Sequence, residues 1–319
     1  MFVNGYKKLV IFFIRRIYLL IMLLFAATEI AIRLSGAVDF PIYLIDDDIG
    51  YVVKPNQSGF FLNRNEWIFN DRSMGTNRNW VNDHNSDLPN LLLIGNSIVM
   101  GGNPYDQRDK LGPLLQSRLG NAVNVWPAAV GGWSNVNEIA YLQRNLDVVE
   151  GVDFFIWEYM NGGFSQLSAS RSEYVFPTSK PLCATWYVVR RYILPTLINF
   201  DMNELPPKGD SRKKYIDQFE QLISKMSASG RSNVRGIILL YPTREEFLNN
   251  KIGHDYVSDR SELERIALMY HLALVDISKN PAWNEKLYRD GVHPTVEGNN
   301  VLANILNRTV VDAVLSRLK

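Results

Sequence analysis

The sequence predicts an α/β fold in which helices cover both faces of a mostly parallel sheet. Short, almost continuously apolar runs recur after Pro89, as in "NLLLIGNS" and "VDFFIWEY". Segments of helical length separate these runs, and strands that are apolar throughout are typical of parallel sheets buried on both faces. The 319 residues suffice for a full core, and 46% hydrophobic with 21% charged residues is ordinary for a globular domain.

The predicted elements alternate along residues 89–319, which we interpret as the main domain. Strands are expected at "NLLLIGNS", "AVNVWPAAV", "VDFFIWEY", "VRGIILLYPT" and "LALVDIS". Helices are expected over residues 108–119, 135–147, 259–270 and 295–317. This alternation is that of βαβ units, in which successive strands run parallel.

The amino-terminal residues 1–35 predict a membrane segment. A Lys pair at 7–8 and an Arg pair at 15–16 precede an apolar run, Ile17 to Ala27, that continues to Ile32. The run is shorter than the roughly 20 residues of a typical spanning helix, so a cleaved signal peptide is the alternative to a retained anchor. Sparse small residues for cleavage favour the anchor. The basic residues place the amino terminus in the cytoplasm and the bulk of the chain on the periplasmic or outer face of the membrane. If the segment is cleaved, the chain is secreted.

Two further regions frame the predicted domain. Residues 36–88 are rich in Asn, Asp and Gly, which predicts short strands and turns linking the membrane segment to the domain. Residues 162–210 form a long interval between the third strand and the next helix, and such intervals are typically functional loops or subdomains. We expect a cap or lid beside the active site there, including Trp186, Tyr187, Tyr192 and Phe200. A helical decoration packed on the domain is the alternative.

Charge and cysteine content argue against several function classes. The net charge is +1 and no basic stripe with interleaved aromatic residues is present, which argues against nucleic-acid binding. The single cysteine, Cys183, excludes an internal disulfide framework and a multi-cysteine metal site. The four histidines lack the i, i+4 spacing of a helical zinc site. No cofactor or metal is expected.

Ser97 follows the first predicted strand and Gly95 in "LLLIGNSIVMGG". A serine nucleophile needs a base, a carboxylate that orients the base and donors for the oxyanion, so Ser97 alone is also consistent with a turn residue. Val99 stands where a Gly-x-Ser-x-Gly elbow has its second glycine. The stretch "YRDGVHPTVEGNN" places Asp290 three residues before His293. In a catalytic site, His293 would be the general base and Asp290 the carboxylate that orients it. The alternative is a hydrogen-bonded loop without a catalytic role.

The order of these motifs resembles the SGNH hydrolases, also called the GDSL family, whose sequence blocks carry Ser, Gly, Asn and His. The first block is "IGNSIV" with Ser97, and the last is "DGVHP" with Asp290 and His293. The second resembles "WPAAVGGWSNVNE", and "FFIWEYMNGG" stands at the third. The resemblance implies that Gly132 and Asn161 donate hydrogen bonds to the oxyanion. It covers about residues 90–316 and implies a flavodoxin-like three-layer α/β/α fold.

Two positions depart from the family pattern. The family's Gly-Asp-Ser reads "GNS" at 95–97, and its Gly-x-Asn-Asp reads "YMNG" at 159–162. Asn96 keeps a side-chain acceptor without the charge, and the triad carboxylate of this family is the one in the last block. The second departure leaves Asn135 and Asn137 as further candidates for the amide that binds the oxyanion.

The resemblance implies acyl transfer from an ester with Ser97 as the nucleophile. Together with an outward-facing anchor, it resembles family members that act on acyl groups of polysaccharides. The expected function is an O-acyl esterase, often an O-acetyl esterase, for cell-surface or exported polysaccharide. Its expected partners are an acylated carbohydrate or other ester and the membrane. The alternatives are an O-acyltransferase with the same residues, hydrolysis of lipid or small esters, and a catalytically silent, membrane-tethered polysaccharide-binding or assembly protein.

Overall fold

The computed structural model describes residues 2–169, 175–197, 212–229, 236–250 and 255–313 of the chain. It opens with helix α1, Phe2–Leu34. Within α1, the 24 residues Ile11–Leu34 have a mean hydropathy of 2.1 and are not buried in the protein. Among the described residues, this is the one helix that is long and apolar enough to cross a membrane. The predicted apolar helix at the amino terminus is present.

Residues 36–88 form two antiparallel hairpins and a short helix. The elements are β1 (Tyr43–Asp46), β2 (Gly50–Val53), β3 (Gln57–Phe61), β4 (Asn65–Phe69) and α2 (Trp80–Asp83). Strand β1 pairs with β2 and β3 pairs with β4. Large buried side chains from these elements join the apolar cluster on one face of the central sheet, namely Tyr51, Val53, Trp67, Phe69, Met74 and Trp80. This region and the central sheet therefore share one core.

The central sheet has five parallel strands. They are β5 (Asn90–Gly95), β6 (Asn124–Ala129), β7 (Phe154–Tyr159), β8 (Gly236–Leu240) and β9 (Ala273–Asp276). Their spatial order is β6, β5, β7, β8, β9, which is 2-1-3-4-5 in order of appearance and hence flavodoxin-like. Because β6 and β7 lie on opposite sides of β5, the topological switch point is at the carboxyl end of β5.

Helices cover both faces of this sheet. In chain order, the helices that follow β5 are α3 (Ser97–Met100), α4 (Leu111–Leu119), α5 (Asn135–Arg144), α6 (Leu146–Gly151), α7 (Ala184–Val188), α8 (Leu194–Leu197), α9 (Arg212–Ser229), α10 (Arg244–Asn250), α11 (Arg260–Met269) and α12 (Val296–Ala313). Leu91 and Leu93 of β5 face the apolar cluster that contains α4 and α12, whereas Leu92 and Ile94 face the cluster that contains α5, α6 and α9. Two covered faces explain why each strand is apolar throughout, and the predicted α/β fold is confirmed.

The predicted insertion, residues 162–210, is described only over 162–169 and 175–197. The remainder, including Phe200 and the turn-rich "ELPPKGDS", lies outside the described residues. Residues 184–197 form one helical run, composed of α7, a π-helical turn over 189–193 and α8. Earlier in the insertion, Phe176 packs against Tyr51 of β2 with ring centroids 4.4 Å apart.

Candidate active site

Ser97 stands at the carboxyl end of β5 as the first residue of α3. Asn96 caps this short helix, because its Oδ1 accepts the N–H of Ile98 at 3.0 Å. The first residue of a helix has no intrahelical acceptor for its own N–H, so the Ser97 N–H is available to a ligand. Ser97 also lies at the topological switch point, the edge at which open parallel sheets bind their ligands.

His293 connects Ser97 to Asp290. The distance from His293 Nε2 to Ser97 Oγ is 2.9 Å, although the two residues are 196 positions apart. His293 Nδ1 lies 3.0 Å from each carboxylate oxygen of Asp290. With Nδ1 donating to Asp290, Nε2 accepts the Ser97 hydroxyl proton, which is the tautomer that a general base needs. The structure thus brings these three predicted site residues into one hydrogen-bonded chain.

The surroundings of Asp290 favour its ionised form. The N–H groups of Val292 and His293 donate to Asp290 Oδ1 at 2.9 and 2.8 Å, and Arg289 Nη2 donates to Oδ2 at 3.1 Å. Burial raises the pKa of Asp290, but the hydrogen bonds from the two backbone N–H groups and from the His293 ring outweigh it and hold the pKa well below its usual range. Asp290 is therefore a carboxylate at neutral pH.

The loop that carries Asp290 and His293 is fixed on both sides of the imidazole. The hydroxyl of Tyr241 donates to the carbonyl of Val292 at 3.0 Å, and the hydroxyl of Tyr105 donates to the carbonyl of Pro294. The guanidinium of Arg289 lies 4.9 Å from the centroid of the Tyr105 ring. These tyrosines were not predicted from the sequence, and they hold the imidazole in place before any substrate arrives.

Gly132 lies in the loop after β6 with a φ of +78°, a conformation that favours glycine. Its neighbour Gly131 borders the nucleophile, because a Cβ built on Gly131 would lie 3.9 Å from Ser97 Cβ. The peptide groups of Gly131 are fixed: Tyr51 donates to its carbonyl at 3.0 Å, and its N–H lies 3.0 Å from Met100 Sδ. Among the described residues, none accepts the Gly132 N–H, which leaves it available as a donor beside Ser97.

Asn161 is exposed, and its side chain is engaged by other residues. Its Nδ2 donates to Glu246 Oε1 at 3.2 Å, and its Oδ1 accepts the N–H of Ser258 at 3.0 Å. No hydrogen bond joins Asn161 to Ser97 or His293 in the described part of the chain. A role for Asn161 in binding the oxyanion stays a prediction, and it requires the amide to exchange Glu246 for the substrate.

The other two candidate amides are buried in the core. Asn135 Nδ2 donates to Glu138 Oε2 at 2.6 Å and to the carbonyl of Glu158 at 2.8 Å. Asn137 Nδ2 donates to two backbone carbonyls at 2.7 and 2.8 Å. Their hydrogen bonds join α5 to its neighbours.

A buried carboxyl group that was not predicted from the sequence lies beneath Ser97. Glu158 of β7 is 1% exposed, and its Oε2 accepts the backbone N–H of Asn96 at 3.1 Å. A Cβ at position 95 would overlap this carboxyl group, so Gly95 leaves room for it. Burial raises the pKa of Glu158 to about 8, against a smaller lowering by hydrogen bonds from Asn96, so the group is largely neutral at pH 7. The sequence feature that could have predicted this buried group is an acidic residue inside the apolar run "FFIWEY".

A second buried carboxyl group lies close to the first. Glu138 of α5 accepts Trp157 Nε1 at 2.6 Å in addition to Asn135. Burial and the neighbouring Glu158 raise the pKa of Glu138 well above its usual range. An aspartate at position 96 would bring a further carboxylate against Glu158, whereas asparagine adds no charge.

Comparison with known proteins finds solved structures that resemble this chain at low sequence identity. No family model and no curated protein matches the chain. Among solved structures, LAE5, an alpha/beta hydrolase enzyme from the metagenome of Lake Arreo, Spain, is 16% identical with a TM-score of 0.43, over 70% of this chain and 95% of that chain. Est24, a carbohydrate acetylesterase from Sinorhizobium meliloti, is 12% identical with a TM-score of 0.41, over 70% and 99%. A catalytic mutant of Axe2, an acetylxylan esterase from Geobacillus stearothermophilus, is 17% identical with a TM-score of 0.43, over 70% and 94%.

The substitution Glu158→Gln is expected to flatten the dependence of stability on pH. Folding raises the pKa of Glu158 from 4.5 to about 8, so the folded state binds the proton more tightly than the unfolded state. The wild-type free energy of unfolding should therefore fall as pH rises through this interval, by up to about 1.4 kcal/mol per pH unit from this group. The variant keeps an oxygen acceptor for Asn96 but lacks this slope. Urea unfolding of the detergent-solubilised full chain measures both profiles, and parallel profiles would contradict the assignment.

Asn96→Asp is expected to destabilise the wild type more than it destabilises the Glu158→Gln variant. At about pH 9 the new carboxylate faces an ionised Glu158 in one background and a neutral amide in the other. A double-mutant cycle of unfolding free energies at this pH should give a coupling of about 1–3 kcal/mol. Additive effects at this pH would mean that Glu158 does not account for asparagine at position 96.

Proposed function

We propose that this protein is a serine-dependent acyl-ester hydrolase of the SGNH type, held at the outer face of a membrane by α1. The observation that carries the proposal is the hydrogen-bonded chain from Ser97 Oγ through His293 to Asp290, with distances of 2.9 and 3.0 Å. A nucleophile, a base and an orienting carboxylate within hydrogen-bond reach are the groups that acyl transfer requires.

In the first half of the reaction, His293 Nε2 takes the proton of Ser97 as Oγ attacks the ester carbonyl. Asp290 stabilises the imidazolium that forms and keeps Nδ1 protonated. The imidazolium then gives its proton to the leaving alcohol, which leaves an acyl group on Ser97. In the second half, water attacks the acyl carbonyl as one of its protons passes to His293 Nε2. The bond from the acyl carbon to Ser97 Oγ then breaks, Oγ takes the proton back from His293, and the carboxylic acid leaves.

The developing oxyanion needs donors beside Ser97. The N–H groups of Ser97 and Gly132 have no acceptor among the described residues, which suits them to this role. Asn161 would supply a third donor if its amide leaves Glu246. Loss of one such donor typically costs about 10²- to 10³-fold in kcat.

Retention of α1 as an anchor is supported by its contacts with the domain. Glu29 and Arg33, on the last turns of α1, form hydrogen bonds with residues 181–185 of the insertion. A signal peptidase that cut the chain beyond Arg33 would remove these contacts from the mature protein. The basic residues before the apolar run orient the helix with the domain outside.

The exposure of the triad supports a large substrate. The side chains of His293 and Asp290 are 31% and 44% exposed, so Ser97 is approached from the protein surface. An acyl substituent carried on a long exported polysaccharide can reach such a site, because no deep pocket has to enclose the polymer. Access of water to the same site favours hydrolysis over transfer to a sugar hydroxyl. We therefore propose an O-acyl esterase, with O-acyltransfer by the same residues as the second candidate.

Ser97→Ala and His293→Ala are expected to abolish hydrolysis of an aryl acetate by the full chain in detergent. Each removes a group that takes part in every turnover, so the loss should reach at least about 10⁴-fold. A fluorophosphonate should label wild type and not Ser97→Ala. Matched controls are Ser165→Ala and His271→Asn; both wild-type residues are exposed, and His271 has a positive φ that asparagine tolerates. Activity that survives both triad changes would remove the proposal, and an inactive, unlabelled wild type would favour a silent binding protein.

Asp290→Asn is expected to lower kcat by about 10³- to 10⁴-fold without unfolding the protein, because the neutral amide no longer favours the Nδ1-protonated tautomer. Steady-state kinetics and a thermal melt of the same sample check both parts. A loss of less than tenfold would assign Asp290 a structural role only.

Esterase and transferase activities separate by product analysis. An acetyl donor supplied without a sugar acceptor should release acetate at the full rate. Release that needs the acceptor, with acetyl recovered on the sugar, would favour the transferase.

A further inference from the structure

Hydrogen bonds of Glu29 and Arg33 join the outer end of α1 to the insertion. Glu29 Oε1 accepts the N–H of Ala184 at 2.8 Å, and Glu29 Oε2 accepts both the N–H and the hydroxyl of Thr185 at 2.8 Å. The carboxylate thus caps the first turn of α7, where the helix dipole favours a negative charge. Arg33 pairs with Glu29 at 2.7 Å and donates to the carbonyl of Leu182 at 2.8 Å.

These bonds fix the depth of the helical run 184–197 relative to the membrane. About 20 helical residues cross a hydrocarbon core about 30 Å thick, so a membrane-spanning segment that starts at Ile11 ends at about Ile30. A span that starts later, after the Arg pair at 15–16, would place Glu29 deeper still. In either case Glu29 lies at or inside the outer boundary of the core, and Ala184 and Thr185 lie at the same level.

One side of this helical run is packed on the domain. The ring of Tyr187 is stacked on that of Phe40 with centroids 4.9 Å apart, and Ala184 is buried. The helical run therefore cannot rotate about its own axis, so the surface that does not pack on the domain keeps one orientation relative to it.

The rest of its surface carries an exposed apolar stripe. Leu182 is fully exposed, Trp186 is 52% exposed and Leu197 is 73% exposed, with Ile193 between them. Leu182 directly precedes α7, and the π-helical turn over 189–193 offsets Trp186 around the axis from Ile193 and Leu197, so the stripe winds along the run. Tyr192 is also exposed, and Arg191 contributes positive charge beside the stripe.

We propose that residues 182–197 form a second membrane contact, lying in the headgroup region of the outer leaflet beside α1. The proposal rests on the anchor in the proposed function. Continuity with α1 argues for lipid as the occupant, because the stripe begins at Leu182, whose carbonyl binds Arg33 of the spanning helix. Trp and Tyr with an adjacent Arg are also the side chains that favour the boundary between lipid and water.

The contact would give the domain two points of attachment and so one orientation. A single helix end allows the domain to rotate about the membrane normal and to tilt. A helical run seated in the interface removes the tilt. The same insertion reaches the active site, because Phe176 lies against Tyr51 and would meet a Cβ on Gly132 at 3.3 Å. The height of Ser97 above the membrane would thus be fixed through the insertion.

The test measures the depth of single spin labels in full-length protein reconstituted into bilayers of phosphatidylcholine and phosphatidylglycerol. Cys183→Ser removes the one native cysteine and keeps an N-cap side chain for α7. Labels are then attached after Ile193→Cys, Leu197→Cys, Leu23→Cys in α1 or Leu268→Cys, the last a control at an exposed leucine of α11. Collisions with oxygen report lipid, and collisions with a water-soluble nickel chelate report water.

The labels at 193 and 197 are expected to show several-fold higher ratios of oxygen to nickel accessibility than the label at 268. Ratios at 193 and 197 that equal the ratio at 268 would overturn the second contact. The label at 23 reports the anchor separately: a lipid-like value there with water-like values at 193 and 197 would remove this inference alone. A water-like value at 23 would remove the anchor of the proposed function. The esterase assay of Ile193→Cys and Leu197→Cys in detergent shows that the labelled proteins are folded.

Discussion

The position of Ser97 depends on the hydrogen bond from the backbone N–H of Asn96 to the buried carboxyl group of Glu158. Parallel pairing of β5 with β7 brings the two strand ends side by side, and Gly95 allows the carboxyl group to approach the backbone. Because Glu158 is largely neutral at pH 7, it satisfies a buried N–H without an unpaired charge in the core. The turn into α3 then presents Ser97 at the edge of the sheet.

The site is assembled by loops whose shapes are fixed elsewhere. Tyr51, from the hairpins before the central sheet, holds the carbonyl of Gly131, and Tyr241 holds the carbonyl of Val292. Both tyrosines are fully buried, so each hydroxyl reaches the site from a rigid core position. The region 36–88 therefore does more than join α1 to the sheet, since it shapes the loop next to Ser97.

The insertion after β7 links two ends of the molecule that the chain keeps far apart. Phe176, in its second described part, packs near Gly132, and the helical run of the same part is capped by Glu29 of α1. An acidic residue near the end of an apolar helix is costly in lipid, and here Arg33 and two backbone N–H groups compensate its charge.

The sequence by itself determined the α/β class and the five strands, and it identified Ser97, Asp290 and His293 as candidate site residues. Continuous apolar strands report burial on both faces, and motif spacing reports local turns, so both are readable along the chain. Only the tertiary structure decided that His293 meets Ser97, that Glu246 and Ser258 engage Asn161, and that Glu158 underlies Asn96. Contacts between distant residues depend on strand order and on the packing of loops, and neither is set by the local periodicity of the sequence.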